Sequence, residues 1–158
     1  MIAGQSPRIE WQQNPDGQAR SLEEAKAIAK QHGVTIPDDV EFFEDELNQL
    51  HEKFTACGPR VDKPAGSRVY WSDLIHDVTG KVPFRIWPGI LTSDEAIVAV
   101  MAHEVFELEM LRPWLEEGAT SIEDFIAHTR PDNPGNLHDR AWDRADELVE
   151  RMRKEMKK

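Results

Sequence analysis

One α+β domain, dominated by helices packed on a small antiparallel sheet, is what this sequence predicts. Capping signatures and apolar residues spaced three and four apart recur along most of the chain, which is helical patterning. Two short runs, RVYW and VPFRIW, are instead aromatic and β-branched, as strands are. The chain has 158 residues, 39% hydrophobic and 31% charged, which fits one core of ordinary globular composition.

Taken in order, residues 1–20 read as an irregular N-terminal segment with a short strand at RIEWQ and a turn at NPDG. Ser21 and Glu24 make a capping box, and Gly33 suits the far end, so a helix is predicted over 22–32. A second helix is predicted over 38–55, where Val40, Phe43, Leu47, Leu50 and Phe54 form an apolar stripe. ACGPRVDKPAGS reads as a loop. Segments 68–76 and 81–87 are predicted to pair as antiparallel strands, with Pro83 making the second an edge, at least locally. Thr92 and Glu95 signal another capping box. The helix that follows is predicted from Ser93 to about Leu111, ending before Pro113. Ser121 and Asp124 open a short helix, IEDFIAH. A long last helix is predicted over about 136–155, with Leu137, Ala141, Ala145, Leu148 and Met152 facing the core.

The helix beginning at Ser93 carries AIVAVMAHEVFELEMLRP, and its pattern is unusual. At about 100° per residue, His103, Glu104 and Glu107 share roughly 120° of arc with Ala96, Val100, Met110 and Leu111. Val98, Ala102 and Val105 occupy the opposite side, with only Glu109 interrupting, so the central turns have no ordinary solvated face. Burying an unpaired carboxylate costs several kcal/mol, or the group takes up a proton. A divalent cation would remove that cost. His and a carboxylate four residues apart lie one turn apart on one face, the reach needed to grip one ion. A plain buried ion pair between His103 and Glu107 is the competing reading.

His103-Glu104-Val105-Phe106-Glu107 resembles the His-Glu-x-x-His active helix of the zincin metallopeptidases. The resemblance implies a zincin-like fold and a single Zn2+ ion. It makes His103 the first ligand and Glu104 the general base that activates a metal-bound water. Glu107 stands where the family has its second histidine, which shifts preference toward harder metals. His138, in the first turn of the last helix, is the candidate third ligand, with Asp139 as its substitute or as an orienting partner. Asp139, Asp143 and Asp146 form a separate stripe expected to face solvent or pair with Arg140 and Arg144. His51, His76 and His128 lack metal-like spacing. Trp71, Trp87, Trp114 and Trp142 read as core residues, with substrate lining a lesser reading for Trp71 and Trp87. The oxyanion stabiliser is not identifiable from the sequence, and Tyr70, the only tyrosine, is a guess for that role. The opening PRIEWQQNPDGQARSLEEAKAIAKQHGVTIPDD also resembles the start of C-terminal effector cassettes in bacterial polymorphic toxins.

Bulk properties narrow the classes. The net charge of −11 disfavours nucleic-acid binding. The basic end RMRKEMKK suits a helix C-terminus. Cys57 is the only cysteine, so disulfides within the chain and Cys-based zinc sites are excluded. MIAGQSPR lacks the apolar region of a signal peptide, and no apolar run is long enough for a membrane span. The expectation is therefore a metal-dependent hydrolase acting on peptide or protein substrates, with no membrane and no nucleic-acid partner. It would be cytoplasmic, or delivered as part of a larger effector with a cognate immunity protein. The alternatives are a non-catalytic acidic binding or immunity-type protein, and a metal-dependent nuclease.

Overall fold

The computed structural model describes residues 10–46, 48–50, 55–59, 61–129 and 137–156, apart from the side chains of 137, 138 and 156. Four helices dominate it. Helix α1 (Leu22–Gln31) begins at the expected capping box. Ser21 Oγ accepts the Glu24 N–H at 3.1 Å, and Glu24 accepts the Ser21 N–H at 3.1 Å. Helix α2 (Asp94–Glu116) starts one residue later than its expected box. Ser93 is the cap, its Oγ taking the Ala96 N–H at 3.1 Å, while Asn14 Oδ1 takes the Asp94 N–H at 2.9 Å. Helices α3 (Ile122–Thr129) and α4 (Leu137–Met156) lie close to their expected spans.

Helix α2 does not stop before Pro113, contrary to the sequence expectation, but runs three residues past it. A mid-helix proline costs about 3 kcal/mol. Leu111 and Leu115, one turn apart on either side of it, are both buried, Leu115 completely. Burying one such side chain contributes roughly 1.5–3 kcal/mol, enough to offset most of that cost.

The sheet differs more from expectation. Residues 38–55 are not one helix, since the segment opens with strand β1 (Val40–Glu44). Val40 and Phe42 are buried and Phe43 is 37% exposed, so the apolar residues that pack follow a period of two. Leu47 and Phe54 of the expected stripe lie outside the described residues. β1 runs parallel to β4 (Val82–Ile86), with Phe42 opposite Phe84 and their rings 5.6 Å apart. β2 (Ala56–Cys57), inside the expected loop, pairs antiparallel with the end of β4. The sheet is therefore mixed, in the order β1-β4-β2. β4 is central, yet β2 reaches only Arg85 and Ile86, so among the described residues Pro83 meets no strand on that side and is an edge locally.

Segments 68–76 and 81–87 do not pair as strands, although the His76 N–H donates to Lys81 O at 2.8 Å. β3 is only Arg68–Val69 and pairs with β5 (Thr120–Ser121). Asp73 ends it by accepting the Tyr70 N–H at 2.8 Å, which turns the chain into a 3₁₀ turn at Trp71–Leu74.

Helices α2 and α4 pack antiparallel. Glu95 near the start of α2 meets Arg153 near the end of α4, and Phe106 further along α2 lies 4.0 Å beneath the Arg144 guanidinium. Ala141 and Ala145 are fully buried in α4, as Ala25 and Ala29 are in α1, and such small side chains let helices approach closely. The N-terminal segment forms no strand over residues 10–12 but is tied to this pair. Gln12 donates its N–H to Glu95 at 2.8 Å, and Asn14 donates its N–H to Thr92 O at 2.9 Å. The expected turn forms at Asn14–Gly17.

Glu95, expected as a capping-box carboxylate, is instead a buried anchor. Burial alone would raise its pKa, but bonds from Arg153 and Gln12 hold it below the ordinary value. Arg153→Ala would strand that carboxylate. It should destabilise the fold by about 3 kcal/mol, lowering Tm by roughly 6–12 °C. Calorimetry of the single variants and of Glu95→Ala/Arg153→Ala checks this, and the double variant should recover part of the loss.

Candidate metal centre

Every residue of α2 from Glu95 to Phe106 is buried, as the missing solvated face implied. The helix lies between α1 on one side and α4 on another. That burial encloses His103 at 3% exposure and Glu104 at 8%, while Glu107 is half-buried. The trio offers ligand atoms within 4.8 Å of one another, the one such cluster of three among the described residues.

The two imidazole nitrogens face different carboxylates. His103 Nδ1 lies 3.1 Å from Glu104 Oε1, a hydrogen bond. His103 Nε2 lies 3.6 Å from Glu107 Oε2, beyond good hydrogen-bond range. A neutral ring with its proton on Nδ1 donates to Glu104 and turns the Nε2 lone pair toward Glu107. Burial pushes the Glu107 carboxyl well above its ordinary pKa, and the neighbouring Glu104 adds to that. Such a carboxyl holds a proton or needs a cation.

The 3.6 Å separation suits the second option. Ligand bonds to zinc of about 2.0–2.1 Å at a tetrahedral angle place two donor atoms roughly 3.3–3.4 Å apart. Imidazole nitrogen with carboxylate oxygen is also a donor set that zinc accepts. Glu104 on Nδ1 is where a carboxylate fixes the tautomer of a ligating histidine. His103 and Glu107 thus fit a cation as first ligands, and Glu104 fits as their orienting partner.

Trp142 of α4 covers the imidazole, with ring centroids 4.1 Å apart and planes 27° apart. Trp11 in turn lies 6.0 Å from Trp142. By its sequence Trp142 reads only as a core residue. Its position four residues after His138, on the same side of α4, was the available signal.

His138 lies in the first turn of α4, one turn before Trp142, but its side chain lies outside the described residues. The acidic stripe does not simply face solvent: Asp146 is buried and Asp139 and Asp143 are half-buried, while Arg144 lies over Phe106. Tyr70 is not brought to the trio. It is 45% exposed and rests on Gly118, eleven residues past Glu107 and so roughly 15 Å along the helix direction. A Cβ at Gly118 would come within 2.3 Å of the Tyr70 ring, and its φ of +64° also favours glycine there. His76 is exposed, His128 packs tilted against Trp114 with ring centroids 5.2 Å apart, and His51 lies outside the described residues. Trp71 is partly buried against the core with Arg112 over its ring, and Trp114 is 40% exposed.

No helix among the described residues is long and apolar enough to cross a membrane. No protein-family model matches the chain, and neither a curated protein nor a solved structure does.

Proposed function

We propose that this protein is a metal-dependent hydrolase of the peptidase type, built on one zinc ion. His103 and Glu107 would hold the ion, with His138, expected from the sequence, as the proposed third ligand. The observation that carries this reading is the 3.6 Å between His103 Nε2 and Glu107 Oε2, in a buried site where the carboxyl is otherwise driven to protonate. When bound, zinc acidifies a water molecule to near neutrality and polarises a carbonyl. Glu104 keeps Oε1 on His103 Nδ1. Its second oxygen accepts the proton of the attacking water and passes it to the leaving amine. The peptide class of substrate rests on the His-Glu-x-x-Glu pattern at 103–107.

Elemental analysis of protein purified without chelators, followed by zinc titration, tests this. About one zinc per chain is expected, lost in His103→Gln, together with chelator-sensitive cleavage of a quenched peptide library. A chain that takes up no zinc removes the proposal.

One observation favours a second reading, that of a non-catalytic acidic binding protein. His103 is 3% and Glu104 is 8% exposed, so a substrate must displace part of the wall to reach them. With a net charge of −11, such a protein would mask a basic surface. Stoichiometric zinc without cleavage of any peptide would favour it.

A further inference from the structure

We infer that Trp142 is a positioning residue for His103, with Trp11 as its brace. The functional consequence rests on the reading of His103 as a ligand, while the positioning itself does not.

An imidazole on a helix has two soft torsions. A half-turn about the second exchanges Nδ1 with Cδ2 and Nε2 with Cε1, and any smaller rotation changes the plane of the ring. The hydrogen bond to Glu104 Oε1 keeps Nδ1, rather than Cδ2, toward Glu104. One hydrogen bond fixes a direction rather than a plane. The indole face bears on the plane itself, since rings 4.1 Å apart and 27° from parallel leave little room for the imidazole to swing edge-on. Trp142 is itself 7% exposed and sits on α4, so it ties the ring on α2 to the facing helix. Trp11 packs against it at 6.0 Å. The backbone beside Trp11 is fixed through the Gln12 N–H to Glu95 and through Arg153 to Glu10 O. A stack of Trp11, Trp142 and His103 therefore joins the N-terminal segment, α4 and α2, and it sets the direction of the Nε2 lone pair toward Glu107.

The test compares Trp142→Phe, which keeps an aromatic face, with Trp142→Leu, which keeps apolar bulk without one. Metal-free protein labelled at histidine reports the ring directly, with His103→Gln providing the assignment. In the wild type the His103 ring protons should be displaced upfield by the indole. Trp142→Leu should lose that displacement, Trp142→Phe should keep much of it, and Trp11→Leu should reduce it. Zinc affinity should fall at least about tenfold in Trp142→Leu, within the range for partners that orient a ligand. It should stay within about threefold of wild type in Trp142→Phe. Melting temperatures are measured alongside. If both variants lose affinity equally and in step with their melting temperatures, Trp142 is packing only and the inference is overturned. It is equally overturned if the His103 ring protons are undisplaced in the wild type. If the wild type binds no zinc, the hydrolase proposal fails alone, and the ring displacement decides this inference.

Discussion

Glu104→Gln should retain about one zinc per chain and lose turnover by roughly 10²–10⁴-fold, the contribution expected of a positioned general base. The substitution separates two tasks that one side chain performs. The amide oxygen of glutamine still accepts the His103 Nδ1–H, now made by Glu104 Oε1 at 3.1 Å, so the imidazole keeps its orientation. Basicity is lost, because an amide cannot take the proton of water. Glu104→Ala removes both tasks and should also weaken zinc by about 10–100-fold. Peptide turnover and elemental analysis on the two variants give the comparison. Undiminished cleavage by Glu104→Gln would mean that proton transfer belongs to another group.

The parts of this fold legible in the sequence are those whose signals are local. Ser21 with Glu24 marks the start of α1 within three residues, and the run from Ala96 to Phe106 announces a helix without a wet side. The candidate site was legible for the same reason, since His103, Glu104 and Glu107 lie within two turns of one helix. The sheet was not. β1 finds its partner β4 some forty residues away, and a parallel pairing leaves no turn in the sequence to mark it. The spacing of Val40, Phe43, Leu47 and Leu50 imitates a helix, while the packing uses Val40 and Phe42. Glu95 was misread because a capping box and a buried ion pair ask for the same residue at that position. Only the partner distinguishes them, and Arg153 lies at the other end of the chain. Trp142 carries only the signal of its spacing from His138, because its contact with His103 exists only once α4 docks on α2.

Glu107→Gln should reverse sign with metal, which makes it the sharpest test of what the trio is for. In the metal-free protein the folded-state pKa of Glu107 is raised by burial and by Glu104 above its unfolded value of 4.5. Between those two pKa values the folded chain keeps a proton that the unfolded chain has lost. Stability therefore falls as pH rises from just above 4.5 through the folded-state pKa, and it flattens beyond. Glutamine cannot ionise, so the variant should lose this slope. At neutral pH it should melt a few degrees higher than the wild type, for a gain of about 1–2 kcal/mol. With zinc the order inverts. Free zinc at about 100 times Kd stabilises the wild type by roughly 2.7 kcal/mol, whereas the variant has lost a charged ligand and gains little. Melting curves from pH 5 to pH 8, with chelator and with zinc, read both arms. A purely structural His103–Glu107 ion pair demands a different result: Glu107→Gln would be less stable than the wild type under both conditions, and zinc would move neither curve.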